Sequence, residues 1–168
     1  MLEFELKKWD LCYVQSLQKY ANNRNVSRYL RNIFPYPYKL SDGKKFILDT
    51  IPKHEKEGLY FAIVIDGEAI GGISIILQDD IYCKSAEIGY WLGEKFWNQK
   101  IMSRCIKQVC EIAFNMFDIV RIFAEVFDCN LASQKVLEKS GFVLEGITKK
   151  RIYKDEKFID GYIYGLVK

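Results

Sequence analysis

One strand-to-helix junction carries the residue types that bind an anion. The sequence predicts an apolar strand over Ser85–Leu92, a loop over Gly93–Asn98 and an amphipathic helix over Gln99–Phe117. The first backbone N–H groups of a helix have no intrahelical acceptor and lie at the positive end of its dipole. A helix that begins directly after a strand can therefore bind a phosphate, although every such junction offers the same groups. Three cations occur around this one: Lys95, Lys100 and Arg104.

The other catalytic residue types do not form a recognisable set. The one histidine, His54, lies in the charged segment Lys53–Glu57 and is interpreted as a solvated helix-end residue. It has no partners for a Ser–His–Asp arrangement. The five cysteines include no Cys-x-x-Cys pair, and three of them fall on apolar faces. They predict free thiols and core packing in a reducing compartment rather than zinc binding or disulfides.

Composition and charge limit the class of protein further. A chain of 168 residues fits one globular domain over 1–168, and 49% hydrophobic with 28% charged residues is typical of such domains. The formal net charge of +3 is too small to argue for a nucleic-acid partner, yet it permits an anionic ligand. The N-terminal sequence MLEFELKKWD lacks the apolar core of a signal peptide, and no apolar run is long enough to cross a membrane. We therefore expect a cytoplasmic protein without a membrane partner.

Hydrophobic periodicity and turn residues predict the elements around the junction. The N-terminal third is expected to contain an edge strand and three helical segments: Leu2–Lys7, a helix from the Asp10 cap to about Asn22, Val26–Arg31, and a helix from Ser41 and Asp42 to near Gly58. An antiparallel meander follows, with its hairpin turn at Asp66-Gly67: Leu59–Ile65, Ala69–Leu77 and Ser85–Leu92. The rest is a strand, a helix capped by Asn130 and followed by Gly141, and a hairpin around Asp155-Glu156: Ile122–Phe127, Leu131–Ser140, Phe142–Lys150 and Phe158–Val167. This order predicts a mixed α/β (α+β) domain.

Several segments, taken in order, resemble the GNAT superfamily of N-acetyltransferases, in particular the RimJ/RimL type that acetylates ribosomal-protein alanine N-termini. They are AEIGYWLG at Ala86–Gly93, the Trp97–Ser103 turn, NLAS at Asn130–Ser133 and VLEKSGF at Val136–Phe142. The resemblance implies a mixed, mostly antiparallel sheet of about seven strands, with helices on both faces and splayed central strands. It also implies direct transfer from acetyl-CoA to a primary amine in a ternary complex. The acceptor could be a protein or peptide N-terminus or a small-molecule amine.

A cofactor site is also implied by the resemblance. The backbone of Tyr90, Trp91 and Leu92 would hold the pantetheine arm, and a backbone N–H of Trp91 or Leu92 would bind the oxyanion. Asn130 and Ser133 would lie near the sulfur. The loop after the strand would wrap the pyrophosphate with its backbone: Trp97, Asn98, Gln99, Lys100, Ile101, Met102 and Ser103.

The pyrophosphate loop departs from the family pattern. The family normally has glycine at the positions of Asn98 and Lys100, and glycine or alanine at Met102. Asn98 tolerates a positive φ, whereas Lys100 is expected to adopt one poorly. We therefore expect a loop that is helical from Gln99 and that binds CoA weakly.

Transfer to an amine needs a base and an acid. A protonated amine, whose pKa is about 10, cannot attack a thioester until it loses a proton. Glu87 is the predicted base and Glu125 the second choice, because Ile152 stands where some relatives place a carboxylate. Ser133 is the predicted acid for the thiolate, because Leu137 replaces the tyrosine of many family members.

The acceptor pocket is expected between the early helices and the proline-containing loop. Its candidate side chains are Glu87, Tyr29, Phe34, Tyr36 and Tyr38, with core packing as good an explanation for any single aromatic residue. Two rivals stay open at this point: a catalytically impaired GNAT-fold binding module, and an unrelated α/β domain that acts through protein partners. The sequence also leaves a homodimer open.

Overall fold

A seven-stranded sheet organises residues 2–168, the part of the chain that the computed structural model describes. The strands are β1 (Glu5–Lys8), β2 (Gly58–Ile65), β3 (Glu68–Leu77), β4 (Ser85–Leu92), β5 (Arg121–Phe127), β6 (Val143–Lys154) and β7 (Lys157–Val167). Their spatial order is β1-β2-β3-β4-β5-β7-β6. All neighbours are antiparallel except β4 and β5, which are parallel. The predicted mixed, mostly antiparallel sheet is confirmed.

Helices cover both faces of this sheet. They are α1 (Val14–Ala21), α2 (Arg24–Ser27), α3 (Leu40–Thr50), α4 (Ile101–Met116) and α5 (Leu131–Lys139). Leu17 of α1 and Ile47 of α3 pack with Ala62 in one buried cluster, whereas Ile106 of α4 packs with Ile63 in another. Successive residues of a strand point to opposite faces, so α1 and α4 lie on opposite sides of β2. Within residues 2–168, no helix is long and apolar enough to cross a membrane.

Side chains of strand β4 also point alternately to the two faces of the sheet. Ile88 and Leu92 belong to the cluster that contains α4. Trp91 instead contacts Phe34, with ring centroids 5.5 Å apart, on the side that α1 and α3 cover. We call these two sides the α4 face and the α1 face.

Most turn and cap predictions are confirmed. Asp10 accepts the Cys12 N–H at 2.8 Å and caps a short 3-10 turn that leads into α1. The Asp66-Gly67 turn joins β2 and β3, and Asp155-Glu156 joins β6 and β7. Gly141 follows α5 with φ +96°, a conformation that favours glycine. The turns and helix caps could therefore be predicted from the local sequence.

The early element boundaries need correction. β1 begins at Glu5 rather than Leu2, because only Glu5–Lys8 pair with β2. α2 spans Arg24–Ser27 rather than Val26–Arg31, because Asn23 Oδ1 accepts the Asn25 N–H at 2.8 Å and starts the helix earlier.

The next helix also differs from the expectation. α3 begins at Leu40 and ends at Thr50, well before Gly58. Pro52 has no backbone N–H to continue the α-helical hydrogen bonds, so the α-helix ends before it and a 3-10 turn over Ile51–Lys53 follows.

The interpretation of His54 as a solvated residue is wrong. Its side chain is only 7% exposed, and its Nδ1 accepts the Tyr60 backbone N–H at 3.1 Å. Burial lowers the pKa of His54, which favours the neutral ring. The imidazole packs edge-on against Phe61, where it joins β2 to the preceding turn.

The cysteines are all free, as the sequence predicts. The prediction of core packing is confirmed for Cys105 and Cys110. Burial raises the pKa of both thiols to about 12. Core packing does not hold for Cys12, Cys83 and Cys129, which are exposed.

Candidate active site

Strands β4 and β5 separate in the middle of the sheet. They pair only where Ser85–Glu87 lie beside Arg121–Phe123. Beyond that point β4 continues along β3, and β5 continues along β7. The gap opens into a cavity of about 1180 Å³, lined by both strands, the start of α4, α5 and the segment after α2. The predicted splay of the central strands is confirmed.

The pleat assigns the side chains at this gap to two faces. Directly paired residues of neighbouring strands share a face, and so do residues two apart along one strand. Glu87 pairs with Phe123, so Glu87 and Glu125 lie on the same face, together with Trp91. Tyr90 lies on the α4 face. Residues from both faces line the one cavity, so the gap connects the two sides of the sheet.

Each candidate base has an arginine partner. The Glu87 carboxylate forms an ion pair with the Arg31 guanidinium, and the Glu87 side chain is 21% exposed. Glu125 Oε1 lies 2.7 Å from Arg151 Nε, with a side chain that is 20% exposed. Charge-assisted contacts of this kind orient a carboxylate. Both carboxylates line the cavity, so the geometry retains both candidates.

Ser133 meets Tyr90 across the gap on the α4 face. The Tyr90 phenol oxygen and Ser133 Oγ are 2.7 Å apart, and either can donate. Asn130 Oδ1 accepts the Ser133 N–H at 3.2 Å and caps α5. Burial raises the pKa of the Tyr90 phenol, so Tyr90 stays protonated at neutral pH.

The Tyr90 side chain was missed, because sequence reasoning used only its backbone. The signal was its offset of three residues from Glu87, which puts the two side chains on opposite faces of the strand.

The start of α4 corrects the expectation for the loop. Asn98 and Lys100 have φ values of +61° and +59°, so Lys100 does adopt the left-handed conformation. A residue with positive φ cannot lie inside a right-handed helix, which explains why α4 begins at Ile101 rather than Gln99. The Arg104 N–H lies 3.4 Å from the Lys100 carbonyl. The earlier N–H groups, which a helix leaves without intrahelical acceptors, belong to residues that line the cavity.

Only one of the three cations predicted around this helix start lines the cavity. It is Lys100. The Arg104 guanidinium lies over the Phe4 ring, 4.9 Å from its centroid, because Arg104 faces the N-terminal segment. The Lys95 ammonium lies over its neighbour Phe96 at 5.6 Å.

Two cavity lysines on α5, Lys135 and Lys139, were missed. Their spacing of four residues puts them on the same side of the helix, and that spacing was the available signal.

All residues predicted to bind the cofactor line the cavity: Tyr90, Trp91, Leu92, Trp97, Asn98, Gln99, Lys100, Ile101, Met102, Ser103, Asn130 and Ser133. The Trp97 indole N–H donates to the Leu92 carbonyl at 2.8 Å and ties the loop to the end of β4. The Ile101 and Met102 side chains belong to the hydrophobic core beneath α4, although both residues also line the cavity.

The aromatic candidates divide into two groups. Tyr29, Phe34 and Tyr38 line the cavity, with the Phe34 and Tyr38 ring centroids 4.9 Å apart. Burial raises the pKa of Tyr38 to about 12, as expected for a ring in the core. Tyr36 is not in the cavity wall: it is 51% exposed, and the Arg24 guanidinium lies over its ring. A role for Tyr36 in the acceptor site therefore stays a prediction, and Tyr36 is placed outside the cavity wall rather than in it.

The model of the acetyltransferase (GNAT) domain matches residues 4–143, most of the chain. The chain belongs to the GNAT acetyltransferase family. The resemblance seen in the sequence is therefore confirmed for the family, whose co-substrate is acetyl-CoA.

Three known proteins illustrate the likeness. The probable N-acetyltransferase YjcK of Bacillus subtilis is 33% identical over 118 residues, which are 68% of this chain and 65% of YjcK. The chain thus matches slightly less than two thirds of that relative. The ribosomal-protein α-N-acetyltransferase RimL, solved with coenzyme A, is 26% identical with a TM-score of 0.87, over 98% of this chain and 93% of RimL. A microcin self-immunity acetyltransferase, solved with acetyl-CoA and AMP, is 25% identical with a TM-score of 0.88, over 99% and 93%.

Proposed function

We propose that this GNAT protein transfers the acetyl group of acetyl-CoA directly to a primary amine in a ternary complex. The observation that carries the proposal is the gap between β4 and β5, which has Glu87 on one face and the Tyr90–Ser133 pair on the other. An amine and a thioester that enter from opposite faces can meet only there. The amine nitrogen forms a bond to the acetyl carbon, and the bond from that carbon to sulfur breaks.

Glu87 is the proposed base on the α1 face. It takes the proton of the ammonium group, directly or through water, and Arg31 keeps its carboxylate oriented toward the cavity. Glu125 lies on the same face and is the second choice. A backbone N–H of Trp91 or Leu92 is the proposed donor to the oxyanion.

Ser133 is the proposed acid on the α4 face. If Tyr90 donates its O–H to Ser133 Oγ, the Ser133 hydrogen is free for the departing sulfur. The nitrogen loses two protons in total. The first, taken from the ammonium by Glu87, passes on to solvent, and the second, lost as the amide forms, balances the proton that Ser133 gives to the departing CoA sulfur. The CoA phosphates would lie at the start of α4, where cavity-lining N–H groups combine with Lys100.

A thiol-release assay with acetyl-CoA tests the proposal against a panel of small amines and peptide N-termini. We expect release of CoA thiol that depends on the amine, together with a rise in melting temperature with acetyl-CoA. An impaired binding module would show the thermal shift without transfer. Failure of both would remove the cofactor assignment as well.

Two further expectations belong with the proposal. Five free cysteines support a reducing, cytoplasmic compartment. The oligomeric state stays a prediction, with a homodimer as the alternative to a monomer, and light scattering in solution would decide it.

A further inference from the structure

Lys154 is a buried lysine in the wall of the cavity. It is the last residue of β6 and is 7% exposed. Its ammonium donates a hydrogen bond to Asn32 Oδ1 at 3.1 Å, and both residues line the cavity. An amide oxygen can accept a hydrogen bond but does not neutralise a charge.

The carboxylate next to Lys154 in sequence and the two in the cavity wall have other partners. Asp155, the next residue, forms an ion pair with Arg24 at 2.6 Å. Glu125 pairs with Arg151, and Glu87 pairs with Arg31. Within residues 2–168, Lys154 therefore has a hydrogen bond but no ion pair. Burying an unpaired charge is costly, so such a charge in a cavity wall indicates an anion that arrives with a ligand.

The loop after α2 connects this lysine to the proposed base. Arg31 binds Glu87, and its neighbour Asn32 binds Lys154. One dipeptide thus bridges a carboxylate on β4 and an ammonium on β6. The pyrophosphate loop and α5, which carry the other cavity lysines, are separate elements. Lys154 is therefore associated with the acceptor side of the gap.

We propose that the acceptor is a small amine that also carries a carboxylate or phosphate group, and that Lys154 binds this group while Glu87 faces the amine. The inference rests on the proposed acetyl transfer and narrows its acceptor. Asn32 acts as a positioning residue, because its amide holds the ammonium in the cavity wall. Carboxylate and phosphate share the same charge-assisted chemistry toward an ammonium.

Matched acceptor pairs test the proposal. The carboxylate pair is L-phenylalanine with L-phenylalaninamide, and the phosphate pair is phosphoethanolamine with ethanolamine. Each pair is assayed with the wild type, Lys154→Met, Lys154→Arg and the control Lys157→Met. Lys157 is the matched control because it pairs with Lys154 across the β6–β7 hairpin but is exposed. For each protein, kcat/KM of the anionic amine is divided by kcat/KM of its neutral partner. The basicity of each amine does not depend on the variant, so a change in this ratio between variants reports the contribution of the anionic group. Calorimetric titration of the same amines into the CoA complex measures their binding independently of transfer.

In at least one pair, we expect Lys154→Met to lower the preference for the anionic member by about 10- to 100-fold, the range of one charge-assisted contact. The Lys154→Arg and Lys157→Met proteins should retain it, with an unchanged KM for acetyl-CoA in all variants. Methionine matches the aliphatic part of lysine, and melting temperature checks that the variant is folded.

Three results separate the inference from the proposed function. Equal use and equal binding of both members in both pairs would overturn the inference, while acetylation of a neutral amine would leave the transferase intact. A raised KM for acetyl-CoA in Lys154→Met, with the acceptor preference unchanged, would move Lys154 to the cofactor side and also overturn it. No transfer to any amine would remove the proposed function, whereas calorimetric preference for the anionic amine that depends on Lys154 would still support the inference.

Discussion

The two faces of the sheet at the β4–β5 gap differ in how they supply their polar groups. The α4 face uses two short contiguous segments, the start of α4 and the cap of α5, which bring backbone N–H groups and Ser133 to the cavity. The α1 face uses side chains from distant parts of the chain, since Arg31, Glu87 and Lys154 come from three separate elements. A cofactor common to a family can be bound by conserved backbone geometry, whereas an acceptor has to be distinguished by side chains. Variants on the α1 face should therefore affect use of the amine, and variants on the α4 face should affect use of the CoA thioester.

The largest effect is expected at Glu87. Glu87→Gln keeps the size and hydrogen bonding of the side chain but removes its basicity. We expect kcat at neutral pH to fall by about 10²- to 10⁴-fold, with an unchanged KM for acetyl-CoA. The defect should narrow toward pH 10, where more of the amine is already neutral. Steady-state kinetics across pH measures both features.

Glu125→Gln is the matched control, because Glu125 lies on the same face with its own arginine partner. A normal rate in Glu87→Gln and a large loss in Glu125→Gln would transfer the role of base to β5.

A smaller loss is expected at Ser133 on the α4 face. A thiol has an ordinary pKa of about 8.5, so its thiolate leaves with less help than an amine needs to become a nucleophile. Ser133→Ala should lower kcat by about 10- to 100-fold, with little dependence on amine basicity. Tyr90→Phe should lower it less, and the two losses should not add, because Tyr90 acts through Ser133. Additive losses in the double variant would contradict this coupling.

Lys100 should affect cofactor affinity more weakly. Lys100 is exposed, so its contact with a phosphate is screened by water and salt. Lys100→Ala should raise the KM for acetyl-CoA by about 3- to 10-fold at low ionic strength, less at high salt, and leave the acceptor KM unchanged. Lys95→Ala is the control, since Lys95 does not line the cavity. A defect that is independent of salt would argue against a phosphate contact.

The smallest expected effect concerns the backbone at the same position. Lys100 has φ +59°, a conformation that costs most residues about 1 kcal/mol relative to glycine. Lys100→Gly should therefore be more stable to denaturant than Lys100→Ala by up to about 1 kcal/mol, because both lose the charge and only one relieves the strain. Urea unfolding of the two variants measures the difference. Equal stabilities would mean that the loop relaxes around alanine.

The gap itself was predictable only through family resemblance. The alternation in β4 and the Asn130 cap are visible in the sequence, because a strand has a period of two residues and a cap acts within three. The α3 boundary failed because Pro52 acts locally against an otherwise helical pattern. His54 was misinterpreted because it folds back against β2, where it packs on Phe61 and accepts the Tyr60 N–H. The charged residues around it in sequence do not reveal this packing.

The strands, the turns, the family and the cavity-lining segments after β4 and β5 could be predicted from the sequence, because they depend on short-range periodicity and on contiguous motifs. The contact of Tyr90 with Ser133, the ion pair of Arg31 with Glu87 and the exposure of Tyr36 depend on the tertiary structure. It alone brought Lys154 to Asn32, 122 positions apart along the chain. Side chains distant in sequence acquire partners only when the sheet order and the helix packing bring their elements together, and no local sequence pattern encodes that proximity.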